Sequence, residues 1–386
     1  MATRSKRHLK IGYVLDDGLD KPDGVQQYIL SVGEWMRHKG HDVHYLVGET
    51  KRDDLINVHS LSRNIGVRFN GGNRLTIPLP TNTRKLREFL HTEQFDVLHV
   101  QVPYSPMMGA RVIQAASKKV AVVGTFHIAP YSGLVALGTR ALGIWTRSSL
   151  KRFDAMLSVS STAAEFARRT FKLESKVLPN TVDYGWFHKA RTFPAYKDKK
   201  LTILFLGRLV PRKGCRELLA AVGELSQRER VPTFRVVICG RGPEEPQLKR
   251  FVAKLGLEDA VEFKGFVSEQ DKPRYYASAD IAVFPSSGGE SFGIVLLEAM
   301  ASGKAAVLAG DNPGYSSVLA DKPELLFDPH DPHALADLLE KYLRDTKLRQ
   351  QTKRWGAAYS KNFDVDVVGT KLLRVYRQAL HKHRRQ

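Results

Sequence analysis

The strongest constraint on the fold is an alternation that occurs twice along the chain. Short apolar runs closed by Gly, Pro or Asp alternate with stretches of helical periodicity. The first series opens with KIGYVLD (10–16), apolar on both faces as a buried parallel strand is. A loop rich in Gly, Pro and Asp follows, then a helix through Tyr28, Leu30, Val32 and Trp35 that ends at Gly40, then HDVHYLV. Strand, glycine-containing loop, helix and strand form the opening of a doubly wound sheet. After a less regular basic region around Arg63, Arg68 and Arg74, helices over 83–93, 107–118, 132–152 and 163–171 alternate with FDVLHVQ, VAVVGTFH, DAMLSVS and KVLPN.

Residues 182–200 break the pattern with a polar stretch carrying aromatics, Gly and Pro, which reads as a connection between domains. A second series follows: LTILFLGRL, FRVVICG, VEFKGF, ADIAVFP and AAVLAG, separated by helical patterns over 214–226, 244–255 and 269–278 and by one opening after Glu290. The fold class is therefore α/β, with two Rossmann-like doubly wound lobes over 1–190 and 199–363, and a last helix (366–386) crossing back onto the first lobe. A chain of 386 residues exceeds the size at which one core keeps growing, so two domains agree with its length. Sheets of this kind bind ligands outside the carboxyl ends of their strands, which places the expected active site in the cleft between lobes.

A net charge of +20 favours acidic partners: phosphates, anionic lipid surfaces or nucleic acid. The basic residues are scattered, without an RNP-like aromatic pattern or zinc-finger spacing, so nucleic acid is not expected. Cys215 and Cys239 supply neither a disulfide framework nor a metal cluster, which fits a reducing cytosol. The N-terminus runs directly into a strand without an apolar leader, and no segment approaches about 18 uninterrupted apolar residues. Any membrane contact is expected to be peripheral.

The stretch FPSSGGESFGIVLLEAMASGKAAV (284–307) reads as a strand end, a small-residue loop and a helix opening just after Glu290. A helix N-terminus beside glycines suits a phosphate-bearing ligand. Glu290 and Glu298, two turns or about 12 Å apart along such a helix, accept hydrogen bonds from hydroxyls, which points to a sugar nucleotide. The plainer alternative has Glu290 complementing the helix dipole and Glu298 solvated. In LGRLVPRKG (206–214), Arg208, Arg212 and Lys213 follow a strand end and precede a helix, a diphosphate clamp. Gly240 and Arg241 repeat the pattern in the next unit, as a second phosphate contact or a solvated loop. His127 ends the strand VVGTFH, where it would act as donor or proton relay; a histidine satisfied by backbone is the alternative. His99, inside a strand, reads as structural. The Asp364-x-Asp366 pair lies at the start of the last helix and reads as a cap, so no metal is expected and the leaving group's charge falls to Arg208, Lys213 and helix N-termini.

With these residues in order, the chain resembles the retaining glycosyltransferases of family 4, with the GT-B fold, and among them the phosphatidyl-myo-inositol mannosyltransferases. The matching stretches are GVQ (24–26), FDVLH (95–99), TFH (125–127), LFLGR with PRKG, GRG (240–242), SAD (278–280) and GGESFGIVLLEAMASG. The resemblance implies GDP-mannose as donor substrate, no separate cofactor, and catalysis by His127, Arg208, Lys213 and Glu290. It implies that Gly24 lies against the donor phosphates and that Arg208 and Lys213 neutralise them, with Gly240 and Arg241 nearby. Glu290 would bind the transferred sugar, with Ser291, Phe292, Gly293 and Ile294 beside it, Glu298 the ribose, and Val267 and Lys272 the base. Gln26 and His127 would face the acceptor. Retention is implied on one face, the departing phosphate oxygen taking the acceptor's proton.

The resemblance also implies peripheral association with the cytoplasmic face of the plasma membrane through a basic amphipathic helix. That helix falls on 83–93, where Arg84, Lys85 and Arg87 are basic and Leu86, Phe89 and Leu90 are available for an apolar face. Arg140, Arg147 and Lys151 form a second basic stripe on the helix over 132–152. Departures concentrate in the first lobe: Asp23-Gly24 replaces a glycine pair, Asp17 stands where an aromatic is expected, and VPYSP (102–106) and HIAPYS (127–132) differ around the acceptor. The expected activity is metal-independent transfer of a hexose, mannose first, onto a lipid-linked polyol such as phosphatidylinositol. The alternatives are a family 4 transferase using UDP-glucose on a soluble or polyprenyl-linked glycan, a sugar-nucleotide epimerase, and a non-catalytic sugar-nucleotide sensor.

Overall fold

A computed structural model describes residues 8–20, 23–68, 74–79, 82–127 and 146–383. The chain divides into two compact units, one ending at Thr181 and regaining the chain at Val365, the other spanning Val182–Asp364. Each is built on a parallel sheet, because its short strands are apolar on both faces and need helices on both sides.

The sheet of the first unit has the order β3-β2-β1-β6-β7-β8-β9. Here β1 is Lys10–Leu15, β2 Asp42–Val47, β3 Val58–Ser60, β6 Val97–Gln101, β7 Ala121–Phe126, β8 Ala155–Ser158 and β9 Lys176–Val177. All neighbours are parallel. The basic region with no clear sequence pattern contains an antiparallel pair, β4 (Asn64–Arg68) and β5 (Arg74–Pro78), outside the main sheet. Helix α1 (Gly24–His38) starts at Gly24, ahead of its first apolar residues. Helix α2 (Thr83–Glu93) is capped by Asn82, whose side chain accepts from the N–H groups of Arg84 and Lys85.

The terminal helix, Val365–His383, belongs to this unit. Its Val368, Leu372, Leu373, Val375, Tyr376 and Ala379 join one core with Ile29, Val32, Trp35 and Met36 of α1. Asp366 Oδ1 accepts from Trp35 Nε1 at 2.6 Å and lies 3.2 Å from Lys39 Nζ. Asp364 accepts from the Tyr184 N–H at 3.1 Å. Asp364 stands immediately before this helix, the position expected of a cap, and both carboxylates of the Asp-x-Asp pair also tie to segments distant in sequence.

In the second unit the order is β12-β11-β10-β13-β14-β15, again parallel throughout. The strands are β10 (Leu201–Leu206), β11 (Phe234–Cys239), β12 (Val261–Gly265), β13 (Ile281–Phe284), β14 (Ala306–Gly310) and β15 (Leu326–Phe327). The chain winds outward through β11 and β12, returns to β13 on the other side of β10, and continues outward. The loops after β10 and β13 therefore leave the sheet side by side in opposite winding directions, the crevice where such sheets bind ligands.

Among the described residues no helix is long and apolar enough to cross a membrane.

Candidate active site

The crevice of the second unit is set by backbone. After β10 the chain makes a single turn, Pro211–Lys213, then enters a helix (Cys215–Ser226) through Gly214. Gly214 has φ +70°, and a Cβ there would sit 2.0 Å from the Pro285 carbonyl oxygen, so only glycine lets the turn press against the loop after β13. Hydrogen bonds stitch the two together. The Arg212 carbonyl accepts from the Ser287 N–H at 2.9 Å and from Ser286 Oγ at 3.0 Å. Asn312, following β14, donates to the Ser286 carbonyl at 2.9 Å.

Glu290 lies on this loop, and one carboxylate oxygen collects three donors: Lys213 Nζ at 2.7 Å, Arg212 Nη1 at 2.8 Å and Ser286 Oγ at 2.9 Å. Its side chain is 14% exposed. Burial pushes the carboxyl up, but the charges of Lys213 and Arg212 and the hydrogen bonds outweigh it and hold Glu290 below the usual range, ionised.

The helix expected to open just after Glu290 begins instead at Ile294 and runs to Ser302. Gly293, at φ +123° with Tyr315 packed against it, delays the start. Glu290 is therefore a loop residue outside the helix, and the two-turn spacing to Glu298 does not apply. Phe292, expected beside sugar and phosphate, is buried with its ring 5.9 Å from that of Phe363. Ser291 and Ile294 are half-buried at the loop and helix start.

Glu298 lies inside the helix and is buried. Lys272 Nζ is 2.7 Å from one oxygen and the Tyr276 hydroxyl donates to the other at 3.1 Å; the Lys272 and Glu298 side chains are 8% and 5% exposed. Burial lowers the Lys272 ammonium, but Glu298 and Glu269 hold it above its ordinary value, charged. Lys272, expected to flank the base, thus serves as the counter-ion of Glu298. Val267 is half-buried just beyond β12. Arg208 and Arg241 are exposed just past β10 and β11, whose backbones run together there: the Leu209 N–H donates to the Arg241 carbonyl at 3.0 Å. Gly240 presses on the Gly207 carbonyl. Val267, Arg241, Arg208 and Glu290 thus follow the carboxyl ends of β12, β11, β10 and β13, four neighbours in the sheet, whereas Lys272 and Glu298 lie in helices.

In the first unit, Gly24 is exposed at the start of α1, and buried Gln26 donates to the Gly18 carbonyl at 3.2 Å. His127 follows β7, is buried, and its Nε2 lies 2.7 Å from Gln101 Oε1; Gln101 Nε2 donates to the His99 carbonyl at 3.1 Å. Because the Gln101 amide is turned by that second bond, its oxygen faces His127 and Nε2 of the imidazole carries the proton. Burial lowers His127 to about 3. At neutral pH the ring is therefore uncharged and its Nε2 proton is engaged inside the protein. His99 is buried between the Tyr376 hydroxyl (2.7 Å) and Thr125 Oγ1 (2.6 Å), a structural position.

Arg84, Lys85 and Arg87 are exposed on α2, with Arg84 Nε 3.0 Å from Glu88. Leu86 and Leu90 are buried in the core of the first unit and Phe89 packs against it. The apolar face expected to be available to a bilayer is consumed by folding, which leaves a cationic face only. Of the second basic stripe, Arg147 and Lys151 are exposed, and Arg140 lies outside the described residues. Among the described residues one His/Asp/Glu group has metal-ligand spacing, Glu224, His333 and Asp337. Arg228 already supplies a cation there, bonded to Glu224 and lying 2.7 Å from both Asp337 and Glu340.

Sequence reasoning named Arg212 only within the basic loop and did not single out Ser286, Asn312, Tyr276 or Gln101. All five act through partners distant in sequence; the Pro-Arg-Lys-Gly turn beside a Ser-Ser-Gly-Gly loop was the one available signal.

Residues 22–185 match the family model described as Glycosyltransferase Family 4, and residues 188–358 match Glycosyl transferases group 1. The phosphatidyl-myo-inositol mannosyltransferase of Mycobacterium tuberculosis H37Rv is 32% identical over 375 residues, covering 95% of this chain and 96% of that protein. The protein of the same name from Propionibacterium freudenreichii is 28% identical over 381 residues, 95% and 94% of the two chains. Among solved structures, a glycosyltransferase from Rickettsia africae superposes with TM-score 0.76 at 18% identity, over 96% of this chain and 99% of that one. Anabaena HepE in complex with UDP and glucose gives 0.74 at 19%, over 95% and 99%. The chain belongs to glycosyltransferase family 4 and is a glycosyltransferase of GT-B architecture.

Proposed function

We propose that this glycosyltransferase moves mannose from GDP-mannose, with retention and without a metal ion, onto a lipid-linked polyol such as phosphatidylinositol. The observation that carries the reading is the end-to-end likeness to phosphatidyl-myo-inositol mannosyltransferases, 32% over 95% of the chain. Lys213 and Arg208 would meet the diphosphate, Glu290 the sugar hydroxyls and Glu298, held by Lys272, the ribose. The bond between the anomeric carbon and the diphosphate breaks as the bond to the acceptor oxygen forms on the same face. The acceptor's proton goes to the departing phosphate oxygen. Cations beside a helix N-terminus stabilise charge developing on that leaving group. The enzyme would work at the cytoplasmic membrane face, drawn to anionic lipid by Arg84, Lys85 and Arg87 through charge alone, since α2 has no free apolar face.

The test is thermal stabilisation by GDP, UDP and ADP, followed by chromatography of labelled product from GDP-mannose and vesicles containing phosphatidylinositol. GDP should stabilise most and label should enter the lipid. Preference for UDP or ADP overturns the donor, and label entering no lipid overturns the acceptor. Conversion of the nucleotide sugar without acceptor would mark an epimerase; binding without turnover, a sensor.

A further inference from the structure

Two adjacent cations meet the same oxygen of Glu290, yet they are anchored differently. Arg212 Nη1 reaches Glu290 Oε1 at 2.8 Å and the Gly288 carbonyl at 3.4 Å. Its own carbonyl receives Ser286 Oγ and the Ser287 N–H. Side chain and main chain of Arg212 thus both belong to the loop that carries Glu290, and the guanidinium is a rigid fork able to serve two acceptors at once. Lys213 makes its one side-chain hydrogen bond among the described residues to Glu290, at 2.7 Å, from a flexible four-carbon stem. An ammonium on such a stem exchanges partners by rotation; the Arg212 guanidinium, whose Nη1 faces two acceptors of the loop to which its own main chain is bonded, is less free to turn.

We propose that Arg212 is a positioning residue that holds the Glu290 carboxylate towards the transferred sugar, while Lys213 is the exchangeable cation that turns from Glu290 to the departing diphosphate. The inference rests on the roles given to Glu290 and Lys213 above. If both cations turned to phosphate, Glu290 would remain nearly buried without a counter-charge, and burial would favour its protonated form. A protonated carboxyl gives up acceptor capacity just where sugar hydroxyls must be received. Arg212, by staying, keeps the carboxylate ionised and aimed through the catalytic cycle.

The experiment compares Arg212→Ala, Arg212→Gln, Arg212→Lys, Lys213→Ala and Glu290→Gln in the full chain. GDP affinity is read by calorimetry, and kcat, KM and the pH profile with GDP-mannose and phosphatidylinositol vesicles. Loss of a charge-assisted hydrogen bond corresponds to about 10- to 100-fold, so Arg212→Ala should lower kcat by that factor with GDP affinity changed less than about threefold. Its acid limb should move to higher pH, because removing the guanidinium raises Glu290, and Arg212→Lys should recover part of kcat. Arg212→Gln keeps hydrogen-bond donors without charge; should the alanine variant not fold, the glutamine variant must show the same shift of the acid limb. Lys213→Ala should instead weaken GDP by tenfold or more. Equal GDP losses in the Arg212 and Lys213 variants, or an unmoved acid limb, overturn the proposal. Full activity of Glu290→Gln would instead overturn the underlying role of Glu290.

Discussion

Replacing Lys272 with methionine tests whether the second unit depends on the ion pair that Lys272 makes with Glu298 of the helix Ile294–Ser302. The substitution keeps the stem and removes the charge, leaving the Glu298 carboxylate, 5% exposed, with the Tyr276 hydroxyl at 3.1 Å as its remaining donor. Breaking a buried pair by removing one partner costs about 3–5 kcal/mol, and in a unit of this size that lowers the melting midpoint by about 6–20 °C. The cost depends on pH with a definite sign. Burial already raises the Glu298 carboxyl against the pull of Lys272, and without Lys272 it rises further. The folded variant then holds a proton that the unfolded chain releases above about pH 4.3, so its stability falls as pH rises through that window. Urea unfolding of native and variant chains should give a small difference near pH 5 and the full deficit at pH 8. Adding Glu298→Gln to Lys272→Met should recover most of the loss, since removing both charges removes the unpaired one. A deficit below about 1 kcal/mol at pH 8, or one independent of pH, would refute the ion-pair reasoning.

Lys213→Ala should weaken nucleoside diphosphate far more than nucleoside in calorimetry, and equal losses would remove Lys213 from the phosphate clamp. Turnover should survive EDTA, and abolition by the chelator, reversed by added metal, would end the metal-independent reading. Sedimentation with anionic vesicles should fall with salt and with combined replacement of Arg84, Lys85 and Arg87 by alanine; binding that resists both would mean an apolar contact elsewhere. His99 and His127 are both lowered to about 3 by burial, so nitrogen NMR should find neutral rings from pH 8 to 5. Because the unfolded chain takes up their protons below about pH 6.5, stability should drop as pH falls, by about 2 kcal/mol per ring at pH 5; a ring titrating near 6.5 contradicts this.

The alternation of short strands and helices was readable because a strand covered on both faces has few compositional options, and KIGYVL, LTILFL and IAVF all become buried parallel strands. Loop chemistry at strand ends was readable for the same reason: Arg208, Lys213 and Glu290 follow such runs directly. What sequence spacing could not supply was who pairs with whom. Lys272 is expected to flank the base, and spacing gives no sign that Glu298, 26 residues away, is its partner. Leu86 and Leu90 form an amphipathic stripe in either of two settings, bilayer or core, and periodicity is identical in both. The antiparallel pair of β4 and β5 was missed because its strands, NIGVR and RLTIP, are five residues each and carry no continuous apolar run. The late start of the helix Ile294–Ser302 turned on one backbone angle, at Gly293, rather than on composition.

The sheet order explains why Glu290 and Lys213, 77 residues apart, share a hydrogen bond. Strands β10 and β13 pair directly, Ile203 with Ile281 and Leu204 with Ala282, so whatever follows one strand emerges beside whatever follows the other. On either side of this pair the chain winds steadily outward, through β11 and β12 or through β14 and β15. At the reversal the two loops diverge, and the carboxylate of Glu290 with the cations of Arg212 and Lys213 lies where they part. The turn of Gly214 against Pro285 then fixes the spacing through main-chain contact. A charge cluster that would be a liability inside a helix layer becomes, at that one position, an ionised and oriented site. The charge cluster is thus located by topology first and tuned by side chains second, and the same architecture recurs at low identity, as in the Anabaena protein at 19%.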